Sequence, residues 1–506
     1  INQNLQSEKN HFDDNKAKIL IDFFDDYPVI FSFSSMKKYL QKKYRADFEY
    51  FTFNDWHNVQ ISLQKSFVQN FKSIIRKFTT FRVLSKIFRS FGVREGLIIN
   101  YNNKKFFKIA ELNAEKILSK LKKPENVYSI KFKNFNLGKY IYQSYLRDFN
   151  EPTLKLNDER LYDTIKKSLL IFLNIEDYFK NNSVKIVIPS HTVYLYYGII
   201  TEYAYKKKCK VFRIKQVGWR DTQSTDLIRV DKRISEAPPT DNYKKIFNNF
   251  SEKQKRKFWH IGKKHLSYRF KGKKEPNLSG NLIMYHNKKS RINFKNNNNN
   301  IILFLPCFFD GPGRHSNLLF PDFYQWTVFM LENAKKTKFE WFIKPHPSGL
   351  PGNDKIIEEF KNKYSNYKNL NFINKTTSNK YLINQNFKSL FCHHGNAVPE
   401  FASKNIPVIV ACSDYSSSFD FSIRAKSKKH LAKLIDIADR INFKPNKKHI
   451  YEYIFMHFIY FMGYQKDNRI FNRNFETEIS KFHNTHYANV NNHKFFSLLK
   501  NEDYTF

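Results

Sequence analysis

Five short segments of this 506-residue chain place histidine, carboxylate, hydroxyl or glycine residues directly after short apolar runs. In Phe342-Ile-Lys-Pro-His-Pro-Ser348, Pro345 and Pro347 end the run and hold His346 on a rigid turn. An imidazole there can donate to a phosphate oxygen, with Ser348 adding a hydroxyl and Lys344 a point charge. In His393-His-Gly-Asn-Ala-Val-Pro-Glu400, Gly395 and Asn396 allow a tight turn that caps a helix over 397–404. The free N–H groups at such a helix start favour an anion, with His394 beside them. Glu400 lies one turn in, where a carboxylate can accept from ribose hydroxyls.

Phe308-Phe-Asp-Gly-Pro-Gly-Arg-His315 offers Gly311 and Gly313 for close backbone approach, Arg314 as a bidentate clamp, and Asp310 as a general base. Ser190-His191-Thr192 follows the run Lys185–Ile188 and offers His191 to an acceptor, or as a base. Asp414-Tyr-Ser-Ser-Ser418 adds hydroxyls, among them Ser416, after a further run. Each segment also has an ordinary structural reading: a turn histidine, a first-turn glutamate, a common glycine turn, or a capping Ser/Thr pair.

The elements that must hold these residues follow from the hydrophobic pattern. Strands are predicted at Val29–Phe33, Ala46–Phe53, Leu97–Asn100, Lys185–Ile188 and Lys210–Ile214, with helices at Met36–Tyr44 and from Val193 to about Lys207. The strand pattern restarts after the low-complexity run Asn296–Asn300. Strands at Ile301–Leu305, Glu340–Lys344, Asn371–Ile373, Ser389–Cys392 and Val408–Val410 alternate with helices at Pro321–Lys335 and Asp354–Lys363. Strand–helix alternation means parallel sheets. The expected organisation is an α/β domain over 1–230, a polar helical connector over 231–300, and a second α/β domain over 301–440. Helices follow over 441–506 and pack back on the first domain. Two doubly wound Rossmann-type domains would then face a central cleft, with extra helices at the N-terminus.

Composition narrows the function classes. Lys and Arg total 87 against 46 Asp and Glu, a net charge of +41. That excess suggests a polyanionic partner, although a chain rich in Asn, Ile, Phe and Tyr also carries the lysine bias of AT-rich coding. The stretch Ile61–Arg94 has helical apolar spacing and eight basic residues, six of them Lys65, Lys72, Arg76, Lys77, Arg82 and Lys86. It reads as a core helix with a charged face, a helix on an anionic membrane surface, or a grip on an acidic polymer. Cys209, Cys307, Cys392 and Cys412 form no CxxC pair, so a disulfide scaffold or zinc ribbon is not expected and a cytoplasmic setting fits. No apolar run reaches the ~20 residues that span a bilayer, and Ile450–Tyr464 reads as a buried or interfacial helix. The N-terminal INQNLQSEKN lacks signal-peptide order. P-loop, zincin and GxSxG patterns are absent, and no nucleic-acid-binding module is recognisable.

Taken together, these segments resemble glycosyltransferases of the two-Rossmann GT-B type that build bacterial surface and capsular polysaccharides. The likeness runs over about 128–440. It is carried by Leu137–Arg147 with Pro152-Thr153, Pro189-Ser-His191 and Tyr197-Gly198 in the first half. In the second half it is carried by Asp310-Gly-Pro, Leu318–Trp326, Lys344-Pro-His-Pro-Ser348, and Gly395, Glu400 and Pro407. His346-Pro347 is similar to the motif of capsule Kdo transferases and polysialyltransferases, whose CMP-sugar donors are contacted at the phosphate by that histidine. Asp310-Gly311 is similar to the base-bearing pair of the polysialyl group, although here it opens the second domain rather than the first. Strand-end histidines also resemble poly(glycerol-phosphate) transferases, which keeps UDP-sugars and CDP-alditols open as donors.

The resemblance implies a nucleotide-sugar donor in the second domain and an oligosaccharide or lipid-linked glycan acceptor. A cytoplasmic enzyme is expected, peripheral on an anionic membrane surface where the basic stretch 61–94 lies on lipid, with no specific nucleic acid partner. No cofactor is expected. No convincing DxD pair ends a strand, so no metal is expected either. A nucleotide-sugar epimerase on the same fold and a charge-driven polyanion- or RNA-binding protein are the rival readings.

Overall fold

The computed structural model describes residues 17–23, 37, 40, 45–53, 82–101, 103–217, 224–229, 240–271, 294, 299–314, 318–347, 350, 352–413 and 416–460. The expected strand Val29–Phe33, most of the helix Met36–Tyr44, residues 61–81 of the basic stretch and residues 461–506 lie outside them.

The first sheet contains β1 (Lys18–Asp22), β2 (Asp47–Phe53), β3 (Arg94–Ile99), β4 (Val184–Ile188), β5 (Lys210–Val217) and β6 (Ser224–Arg229) in the order β3-β2-β1-β4-β5-β6. Its pairings are parallel except β5 with β6. The second contains β7 (Asn300–Phe304), β8 (Glu340–Lys344), β9 (Leu370–Phe372), β10 (Ser389–Cys392), β11 (Val408–Val410) and β12 (Ile423–Arg424), and all its pairings are parallel. Its order is β9-β8-β7-β10-β11-β12. Each sheet thus follows the doubly wound order 3-2-1-4-5-6. The order reverses between β1 and β4 in the first domain, and between β7 and β10 in the second. Crevices for ligands open at these points, beyond the carboxyl ends of the strands.

Strand sequences are short continuous apolar runs because both faces are covered. Ile301 and Leu303 face one core with Trp341, Ile343 and Phe391, whereas Ile302 faces another with Phe342, Leu390 and Val410. Leu20 and Val187 likewise face one core of the first domain, while Ile19, Ile21 and Ile188 face the other.

Helices α1 (Lys104–Leu118), α2 (Gly138–Phe149), α3 (Glu159–Asn181) and α4 (Ile199–Lys206) belong to the first domain. They are followed by α5 (Thr240–Asn248), α6 (Glu252–Lys271), α7 (Phe323–Ala334), α8 (Asn353–Lys363), α9 (Asn379–Ile383), α10 (Ala397–Ala402), α11 (Lys428–Asp436) and α12 (Lys447–Ile454). Tyr243 and Phe247 of α5, Leu266 of α6, and Ile450 and Ile454 of α12 share one core with the inner face of the second sheet. The helical part of the connector therefore covers the second domain. Residues 441–460 pack there too, and the rest of the tail, expected to return to the first domain, lies outside the described residues. Ile450 and Glu452 through Phe458 are buried, as the apolar run anticipates, and Tyr451 is half-buried. Among the described residues, no helix is long and apolar enough to cross a membrane.

Candidate active site between two strand edges

Three consecutive residues of helix α2 reach loops of both domains. The Tyr142 hydroxyl donates to Asp322 Oδ2 at 2.6 Å, just ahead of α7. Gln143 packs against Gly313 of the loop after β7. The Ser144 hydroxyl accepts from the Leu195 backbone N–H at 2.9 Å, on the turn after β4. One helix thereby touches the loops beyond both switch points. Thr153 Oγ1 also donates to Asp322 Oδ2 at 2.7 Å, and the Tyr128 hydroxyl donates to the Pro321 carbonyl at 2.7 Å. Asp322 caps α7 by accepting from the Gln325 N–H. Burial raises its pKa, and these donors oppose the rise.

The first-domain edge carries His191 as expected. Its half-buried ring lies 5.7 Å from Tyr194 and 5.9 Å from Tyr197. Tyr194 has φ of 66°, a left-handed conformation that costs a residue with a β-carbon of order 1 kcal/mol or more. It opens a π-type turn over Tyr194–Gly198. Such turns gather at functional sites. Asp22, the last residue of β1, accepts from both the N–H and the hydroxyl of Ser190. Sequence reading missed β1 and so missed this clasp at the switch point. The run Ile19-Leu20-Ile21 was the available signal.

On the second-domain edge, Asp310 is exposed on the loop after β7. Gly311 has φ of 43°, and Gly313 abuts the Gln143 side chain, which leaves no room for a β-carbon. The Arg314 backbone closes the short turn Pro312–Arg314, and its side chain lies outside the described residues. His346 sits half-buried just past β8, as the flanking prolines require. Ser348 lies outside the described residues. His394 and Asn396 are half-buried at the β10 edge. Asn396 occupies the cap position of α10 without a side-chain capping bond, and α10 is shorter than expected, ending at Ala402. Gly395 has φ of 120°, which only glycine adopts without strain, and the space where a β-carbon would project is open.

Three expected ligand residues turn inward instead. Lys344 is 2% exposed and Glu400 fully buried. Lys344 Nζ donates to Asn379 Oδ1 at 2.6 Å, and Asn379 Nδ2 donates to Glu400 Oε2 at 3.0 Å. This corrects the expectation of a lysine and a glutamate open to phosphate and ribose. A carboxylate one turn into a helix reaches either solvent or the core, and here Asn379 draws it to the core. Desolvation pushes the Lys344 pKa down to about 8, and Glu400 nearby partly offsets it. Ser416 is also buried rather than offered to a ligand. Sequence reading missed Asn379, which has no motif of its own.

Behind His394, His393 is buried with its ring centre 4.6 Å from that of Phe323 and 5.6 Å from that of Trp326, both edge-on. Desolvation and then the neighbouring His394 hold its pKa well below the usual histidine range. The edge thus gathers half-buried imidazoles, an exposed carboxylate and open glycine backbone. That set can bind an anion and take up a proton.

No family model and no curated protein matches the chain. Solved structures similar to it include Thermosulfurimonas dismutans KpsC, β-Kdo 2,4-transferase, at 10% identity. That match covers 54% of this chain and 80% of the other, with a TM-score of 0.33. The β-Kdo 2,7-transferase of the same protein matches at 11% identity over 61% and 85%, with a TM-score of 0.31. UDP-GlcNAc 2-epimerase of Methanocaldococcus jannaschii matches at 12% identity over 87% and 99%, with a TM-score of 0.27. At such TM-scores the likeness carries no functional argument, and the fold rests on the strand order of the two sheets.

Proposed function

We propose that the chain is a metal-independent GT-B glycosyltransferase. It moves a sugar from a nucleotide-activated donor, a CMP-sugar first, to a growing surface or capsular polysaccharide. The supporting observation is the pairing of two 3-2-1-4-5-6 sheets whose switch-point loops both abut α2, with His346 and Gly395 at the edge of the second. The donor phosphate lies by His346 and the Gly395 backbone. The acceptor lies toward His191.

Asp310 takes the proton of the acceptor hydroxyl, whose oxygen attacks the anomeric carbon. The bond from that carbon to the phosphate oxygen breaks, and the imidazole of His346 stabilises the charge left on the phosphate. Closure of the domains excludes water and limits donor hydrolysis.

A nucleotide that binds only the folded state raises the melting temperature, so CMP, CDP, UDP and GDP are compared first. Transfer from the stabilising donor class is then measured. His346→Ala is expected to lose roughly 10²–10³ in transfer rate. Unchanged turnover in that variant removes His346 from the mechanism. Interconversion of free nucleotide sugars without an acceptor makes the chain an epimerase.

A further inference from the structure

The register of the second sheet brings three metal-ligand side chains together beyond its edge. Cys392 of β10 pairs with Val410 of β11 in parallel. Two residues further on, His394 and Cys412 therefore leave the sheet at the same level, with His393 beside them. One ligand atom from each of His393, His394 and Cys412 falls within a group no wider than 4.8 Å. The two Nδ1 atoms stand 3.0 Å apart. Two nitrogens bound at ~2.0–2.1 Å to one tetrahedral zinc ion stand about 3.3 Å apart, close to this spacing.

The chemistry of the set is selective. Two imidazoles and a thiol are borderline-to-soft donors, which suit Zn²⁺ or Co²⁺ and not Mg²⁺ or Ca²⁺. Absence of a DxD pair speaks only to hard cations held by carboxylates, so it leaves this set untouched. His393 and Cys412 are buried, and Phe323 and Trp326 wall the His393 ring. An apolar wall of this kind fixes ring orientation and limits water. His394, the half-buried member, marks the side from which a fourth ligand arrives.

We propose that His393, His394 and Cys412 form a binding site for one Zn²⁺-class ion, with the fourth position open to water. Binding replaces the hydrogen bond between the two Nδ1 atoms and the Cys412 Sγ contact to the His393 carbonyl, shifts the shared Nδ1 proton to the Nε2 of its own ring, forms two N–metal bonds and one S–metal bond, and releases the Cys412 thiol proton to solvent. Metal uptake is read without any nucleotide, so it stands or falls apart from the proposed transfer reaction.

The full chain, stripped by chelator and dialysed, is titrated with Co²⁺ and separately with Zn²⁺. One equivalent of Co²⁺ is expected to give a sulfur-to-cobalt charge-transfer band, and Zn²⁺ a saturable rise in melting temperature. Cys412→Ser is expected to abolish the band. His394→Ala is expected to weaken Zn²⁺ at least tenfold. Both variants should melt like the wild type in chelator, which separates ligand loss from misfolding. Should a variant misfold, retention of the band in each of Cys209→Ser, Cys307→Ser and Cys392→Ser leaves Cys412 as the sulfur, and loss of the band in any of them overturns the assignment. Absence of a sulfur band in the wild type overturns the site, as does an unchanged band in Cys412→Ser.

Discussion

Gly313 of the second domain lies so close to Gln143 of the first that a β-carbon on Gly313 would overlap the Gln143 side-chain amide. Gln143 is nearly fully buried, so its amide has little room to withdraw. Gly313→Ala is therefore expected to cost about 1–3 kcal/mol of stability through overpacking. Shortening the partner with Gln143→Ala should restore part of it. Urea unfolding of the two single variants and the double variant measures the coupling. Additive effects would show that the pair does not set the contact between the domains.

Asp322 supplies a second link across the same boundary. Its carboxylate accepts from Tyr142, Thr153 and the Gln325 N–H, all within 2.7 Å. Asp322→Ala leaves the buried Tyr142 hydroxyl unsatisfied, at roughly 1–3 kcal/mol, and removes the acceptor of the half-buried Thr153 hydroxyl and the cap of α7. Tyr142→Phe should cost about 1 kcal/mol, because it removes the donor and leaves the acceptor its other partners. Equal losses in the two variants, measured by denaturant midpoint, would contradict the hub.

Lys344 makes stability depend on alkaline pH. Burial lowers its pKa from 10.5 to about 8, so the folded state disfavours the charge. The cost is fully present below pH 8. It fades as pH rises from about 8 toward 10.5, where the folded protein has released the proton and the unfolded chain still holds it. Relative to the wild type, Lys344→Met is expected to lose this rise, worth up to ~3 kcal/mol. A parallel pH course of the two proteins between 8 and 10 would refute the burial account.

Glu452 of α12 acts in the opposite window. Desolvation lifts its pKa from 4.5 to about 7, although Lys244 partly opposes this. The folded state keeps the proton longer than the unfolded chain does. Stability from this group is therefore full below pH 4.5 and declines as pH rises toward 7. Glu452→Gln should flatten that decline. Melting temperatures of variant and wild type across this range decide it, and identical slopes would mean the carboxyl ionises freely.

Much of the second domain was legible from its sequence. Runs such as Ile301–Leu305 and Ser389–Cys392 are short and continuously apolar because helices cover both faces of their sheet. Pro345 and Pro347 fix the turn that holds His346 whatever packs around it. The local chain thus set the strands and put His346, His394 and Gly395 at one edge. β1 was less visible, since its five residues carry Lys18 and Asp22 at the ends.

Only the tertiary structure decided which way the polar side chains face. Asn379 lies 35 residues from Lys344 and 21 from Glu400, and its amide draws both inward. Tyr142 meets Asp322 across 180 residues, and the strand register sets His394 level with Cys412. Periodicity records whether a residue is buried along its own element. Hydrogen bonds between distant segments form only after the sheets fix register and spacing, so no local pattern encodes them.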